Sequence, residues 1–130
     1  MFYVFSKTPT SGRDKDNPHK VEMKLAGGVI HQVDVLFQDG CNHEEFVQIF
    51  RGGHQLWPTN QGEYLRGNAT VVSFREFLPL ESGTNLLMAE VSTTLTSEIK
   101  EVIIQIGVLP KKIIQPLSFD ELLSAATGLE

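Results

Sequence analysis

This chain of 130 residues carries one cysteine and one tryptophan, and its longest apolar run is the five residues Met1–Phe5. Each scarcity excludes something. Cys41 alone cannot close an internal disulfide, so the fold rests on a core without crosslinks, as in a protein matured in a reducing compartment. No run approaches the roughly 18 apolar residues of a membrane-spanning helix. Met1–Phe5 has no basic residues ahead of it and is too short for a signal peptide, so synthesis in the cytoplasm is expected. Positive charge is also in short supply: 11 Lys and Arg against 16 Asp and Glu give a net charge of −5. A general nucleic-acid binder needs a basic stripe to displace counterions, and none is present.

Enzyme signatures are missing as well. There is no Gly-rich phosphate loop, no G-x-S-x-G elbow and no H-E-x-x-H pair. The expectation is a non-enzymatic protein without a cofactor or a metal. What remains is an ordinary globular composition, 41% apolar and 21% charged. A chain of this length forms one domain and can remove roughly two-thirds of its unfolded surface from water.

The pattern that is present is alternation. Val33, Val35 and Phe37 alternate with Gln32, Asp34 and Gln38, and Val102, Ile104, Ile106 and Val108 repeat the pattern. Period two buries one face of a strand and wets the other, the mark of an antiparallel β protein. Strands are expected at 1–5, 20–25, 29–38, 46–51, 54–57, 70–78, 87–95 and 101–109. Gly27-Gly28 and Gly52-Gly53 are read as hairpin turns, and Pro58 stops the strand before it. About eight strands with close turns predict an all-β fold, an antiparallel β-sandwich of jelly-roll or immunoglobulin-like type, with a small barrel as the alternative. The expected organisation is an N-terminal strand and flexible arm over 1–19, a sandwich core over 20–110, and a tail over 111–130. Ser118-Phe119-Asp120-Glu121 has the form of a capping box for a short C-terminal helix ending near Gly128.

Two polar clusters are candidates for chemistry. Cys41-Asn42-His43-Glu44-Glu45 holds metal-ligand types, but a structural zinc site takes four ligands, usually as two short-spaced pairs, and no second pair is visible. A solvated loop with a half-buried thiol beside a turn accounts for it better. Arg51, His54, Trp57, Asn60 and Tyr64 form the candidate ligand-binding set. An aromatic face ringed by amides is how a β-sandwich grips a sugar or anchors a partner, and the alternative is that Trp57 fills the core.

Both ends are more apolar than free ends should be. Phe2, Tyr3 and Phe5 open the chain, and Ile113, Ile114, Leu117, Phe119 and Leu123 close it. Burying each such side chain is worth roughly 1.5–3 kcal/mol, so they either complete their own sandwich or dock on a neighbouring subunit, and they are the candidate partner-binding residues. The function expected from these observations is structural: a subunit of a symmetric homo-oligomer, contacting itself and another structural protein, of the kind found as a capsid decoration, cement or tail component of a virion. A carbohydrate- or ligand-binding module is the alternative.

Overall fold

The computed structural model describes residues 1–110. Ile113, Ile114, Leu117, Phe119, Leu123 and the helix read at 118–128 lie outside the described residues. Eight strands follow one another: β1 (Phe2–Lys7), β2 (His19–Ala26), β3 (Val29–Phe37), β4 (Glu45–Arg51), β5 (His54–Trp57), β6 (Thr70–Pro79), β7 (Thr84–Thr93) and β8 (Val102–Leu109). They form two four-stranded sheets, β1-β8-β3-β6 and β2-β7-β4-β5, in which every pairing is antiparallel. The expectation of an all-β sandwich is met. No helix among the described residues is long and apolar enough to cross a membrane.

Alternation sets the core. Val33, Val35 and Phe37 of β3 and Val102, Ile104, Ile106 and Val108 of β8 face inward, against Met23, Leu25, Val47, Ile49, Leu87, Ala89 and Val91 of the other sheet. All of them are buried. Their β-branched and leucine side chains suit a pleated surface, and each buried one contributes roughly 1.5–3 kcal/mol.

The connections differ from the sequence reading. Only β4 and β5 are consecutive in the chain and paired; at every other step the chain crosses to the opposite sheet. An immunoglobulin-like sandwich joins several neighbouring strands as hairpins, so that part of the expectation does not describe this order. Gly27-Gly28 is accordingly a corner between sheets rather than a hairpin. It is needed there for close approach: a Cβ on Gly27 would lie 2.7 Å from the Glu81 carbonyl oxygen, and one on Gly28 2.6 Å from that of Leu109. Gly52-Gly53 does make the expected hairpin, with φ of 58° and 81° and Arg51 opposite His54. Two successive positive φ angles match the right-handed twist of the strands they join.

The arm between β1 and β2 is tied down, not free. Pro9 is buried. The Thr93 amide donates to the Arg13 carbonyl at 2.7 Å, and Asp14 Oδ1 accepts from the amides of Asp16 and Asn17. The Thr10 amide donates to His19 Nε2 at 3.2 Å, so this ring nitrogen carries no proton. Burial, with Lys7 and Arg13 adding repulsion, holds the His19 pKa below the usual histidine value. Most of the arm is exposed, as its charge-rich composition implies, and its backbone finds partners in the β2-β7-β4-β5 sheet, at Thr93 and His19.

Candidate functional site

Three places hold the residues singled out above. The first is the β4–β5 hairpin with the loop that follows. Trp57 is 4% exposed and lies in the core, tilted against Phe74 at a centroid distance of 5.7 Å, with its Nε1–H donating to Glu76 Oε1 at 3.1 Å. Its indole presents no face to solvent. Arg51, His54 and Asn60 are exposed and Tyr64 is half-buried. Tyr64 turns to the outer face of β4, where its ring meets Phe46 edge-on at 5.6 Å. The five residues therefore divide between the core, the hairpin tip and the sheet face, and do not converge on one concavity.

Glutamines organise this region, and their role was only partly visible beforehand. Gln55 is buried; its Nε2 donates to the Pro58 carbonyl at 2.7 Å and reaches the Asn60 and Glu63 carbonyls. Its Oε1 accepts from Gln48 Nε2 and from the Gly62 amide. Gln61 returns a hydrogen bond to the Gln55 carbonyl at 3.0 Å. A loop lacking ladder partners must satisfy its peptide groups some other way, and here side-chain amides do it. Leu65 then pairs with Val47 through two hydrogen bonds of 2.9 Å, extending the β5 edge. Together these cover β4, so Glu45, Phe46, Val47, Gln48 and Ile49 are buried on both faces.

Lys15 completes the cover from the arm. Its Nζ lies 4.3 Å from the Phe46 ring centroid and 4.7 Å from that of Tyr64, a cation held over two aromatic faces.

The second place is the loop from Cys41 to Glu45. Asn42 and His43 both take left-handed backbone conformations, with φ of 53° and 57°. The side chains consequently point apart. Asn42, His43 and Glu44 are exposed, while Cys41 and Glu45 are buried. Cys41 Sγ donates to Glu45 Oε2 at 3.1 Å, and Glu45 Oε1 accepts the Lys100 amide at 2.7 Å. Burial first, then the adjoining carboxylate, pushes the thiol up to about 12. A nucleophilic or metal-binding cysteine needs thiolate at neutral pH, and this site opposes it. Among the described residues, no three of His, Cys, Asp and Glu gather to hold a metal ion. The inward turn of Glu45 was readable in principle, since it shares parity with Val47 and Ile49.

No family model, curated protein or solved structure matches this chain.

The third place is the outer face of the β1-β8-β3-β6 sheet, where the sequence singled out Phe2, Tyr3 and Phe5. A run apolar at every position, as Met1–Phe5 is, suits a strand buried on both sides. Instead Tyr3 and Phe5 point inward, half-buried and stacked at 6.3 Å, while Phe2 and Val4 point outward, 66% and 61% exposed. Register places Phe2 beside Gly107 and Gln32, and Val4 beside Gln105 and Asp34. Further along the same face, Ile103 and Leu36 lie beside Val71, bordering a shallow hollow of about 290 Å³. Val71 and Phe77 on the far edge strand are 51% and 65% exposed. A polar triad divides the face: Gln32 Nε2 donates to Asp34 Oδ1 and Ser73 Oγ, and Ser73 donates to Asp34.

Proposed function

We propose that this protein is a non-enzymatic structural subunit that builds a symmetric assembly through its terminal segments. The single observation that carries the reading is the exposure of Phe2 and Val4 on the outer face of β1. Neighbouring large apolar side chains on one strand are uncommon on a solitary soluble protein, and such patches mark interaction surfaces. The apolar residues Ile113, Ile114, Leu117, Phe119 and Leu123 extend the supply of contact groups from the other end of the chain.

Architecture supports the same reading by analogy. The orders β1-β8-β3-β6 and β2-β7-β4-β5 fit the jelly roll, eight strands wound as two Greek keys, which viral capsid and lectin domains use. A virion component such as a decoration, cement or tail protein is the specific form we favour. Fold alone does not fix function, so the contact surface carries more weight than the likeness. A carbohydrate-binding module on the same architecture would have to work with Arg51, His54 and Asn60 at the hairpin, without an exposed indole.

Light scattering of the full chain over the micromolar range tests the proposal. The expected mass is a multiple of 14.5 kDa. A mass of 14.5 kDa at every concentration would overturn it.

A further inference from the structure

The assembly reading leaves open how two copies would meet, and the hydrogen-bond pattern of β1 is specific on that point. Met1 and Val108 exchange both of their hydrogen bonds, the Met1 amine to the Val108 carbonyl at 2.8 Å and the Val108 amide to the Met1 carbonyl at 2.7 Å. Antiparallel register alternates bonded and non-bonded pairs. Counting from Met1, the residues bonded to β8 are Tyr3, Phe5 and Lys7, opposite Ile106, Ile104 and Val102. The amides and carbonyls of Phe2, Val4 and Ser6 therefore point away from the sheet, along an edge that no other described strand pairs. All three residues are exposed. Edge strands of soluble proteins are commonly guarded by inward charges, proline or a bulge. β1 has none of these between Phe2 and Ser6.

We infer that β1 of one copy pairs antiparallel with β1 of a second copy about a twofold axis at Val4, joining two four-stranded sheets into one of eight strands. This rests on the structural-subunit reading and names its partner. The register follows from which groups are free. Val4 faces Val4 of the second copy, and Phe2 faces its Ser6, so three facing pairs exchange six backbone hydrogen bonds. Only a twofold about Val4 uses every free group. On the outer face, Phe2 and Val4 of both copies form one apolar stripe; on the inner side, each Tyr3 comes opposite the second copy's Phe5. The seam contains no carboxylate, since Lys7 is the only charged side chain of β1.

Size sets the expected strength. Two phenylalanines, two valines, the flanking rings and the edge backbone cover on the order of 1,000 Å² in all, the lower end for a specific pair. The dimer should accordingly respond to concentration.

The test uses the full chain. Sedimentation velocity on the unsubstituted protein should show a shift from 14.5 kDa toward twice that mass as concentration rises. Val4→Lys sets two ammonium groups opposite each other and should abolish the shift, with its far-ultraviolet circular dichroism and urea midpoint at low concentration unchanged. A second variant keeps the seam intact and maps it. Val4→Cys puts two α-carbons about 5.5 Å apart across the axis, so a short bis-maleimide should crosslink it at least tenfold faster than Leu86→Cys, whose exposed site lies on the other sheet. Cys41 stays silent because its thiol is buried and protonated. A multimer that ignores Val4→Lys, or equal crosslinking at residues 4 and 86, would overturn the seam while leaving the structural-subunit reading intact. A monomer throughout would overturn both.

Discussion

On the outer face of β4, Phe46 is covered by Tyr64, by Lys15 at 4.3 Å and by the loop that Gln55 holds in place. On the outer face of β1, Phe2 has one aromatic neighbour, His31 at 5.8 Å, and is 66% exposed. The two strands carry comparable side chains, and the chain treats them differently. Residues 8–18 and 58–69 both lie against the β2-β7-β4-β5 sheet or its ends, whereas no described segment crosses the other sheet's outer face. A sheet can shed its apolar outer face by folding its own connections over it or by leaving it to a partner. This molecule does the first over β4, and among the described residues it leaves Phe2 and Val4 of β1 open.

The sharpest way to break that comparison is the same substitution on both faces. Phe46→Ala should cost about 3 kcal/mol, since it leaves a cavity under Tyr64 and removes the platform for Lys15. Phe2→Ala should cost below about 1 kcal/mol at concentrations where the chain is monomeric, as expected for an exposed site. Urea midpoints read both. Equal losses would mean that the face bearing Phe2 is already covered in the monomer.

A smaller effect tests what holds the cover. Gln55→Ala strands the Pro58 carbonyl, the Gly62 amide and Gln48, and should destabilise by about 1–3 kcal/mol. Limited proteolysis should then cut first within residues 58–63. Cleavage elsewhere would show that Val47 and Leu65 clamp the loop without help from the amides.

A further effect lies at the buried end of β4 and appears only in alkali. The Cys41 thiol titrates near 9.0 when free and near 12 in the fold. Above pH 9 the unfolded chain loses this proton while the native one keeps it, so stability falls with rising pH through that window. The slope is at most about 1.4 kcal/mol per pH unit, and Cys41→Ala should remove that part of it. At pH 8 a disulfide reagent should label Cys41 only after denaturation. Rapid labelling of the native protein would show that the corner opens.

How much of this could be read from residues alone divides along the same line. Alternation at Val33–Phe37 and Val102–Val108 gave strands and their inner faces, because parity is a local property. Pro58 ending β5 and Gly52-Gly53 turning the hairpin were equally local. Strand neighbours were not legible, because pairing joins residues far apart, such as Phe2 with Gly107. That is why Gly27-Gly28 was read as a hairpin when its partners are Glu81 and Leu109. The arm's exposure was legible in its charge, whereas its anchoring was not, because the Thr93 amide that bonds the Arg13 carbonyl lies eighty residues away. For the candidate ligand set, composition brought together side chains that the sandwich separates, with Trp57 inside and Arg51 outside. Met1–Phe5 is apolar at every position, so parity could not separate the outward Phe2 and Val4 from the inward Tyr3 and Phe5.

The Gly52-Gly53 tip has a practical consequence. Cβ atoms built there meet nothing within 4 Å, and only the pairing of Arg51 with His54 needs to survive for the hairpin to close. A foreign peptide grafted between the two glycines would be presented clear of the body of the protein. The tip is therefore a natural attachment point for display of a foreign sequence.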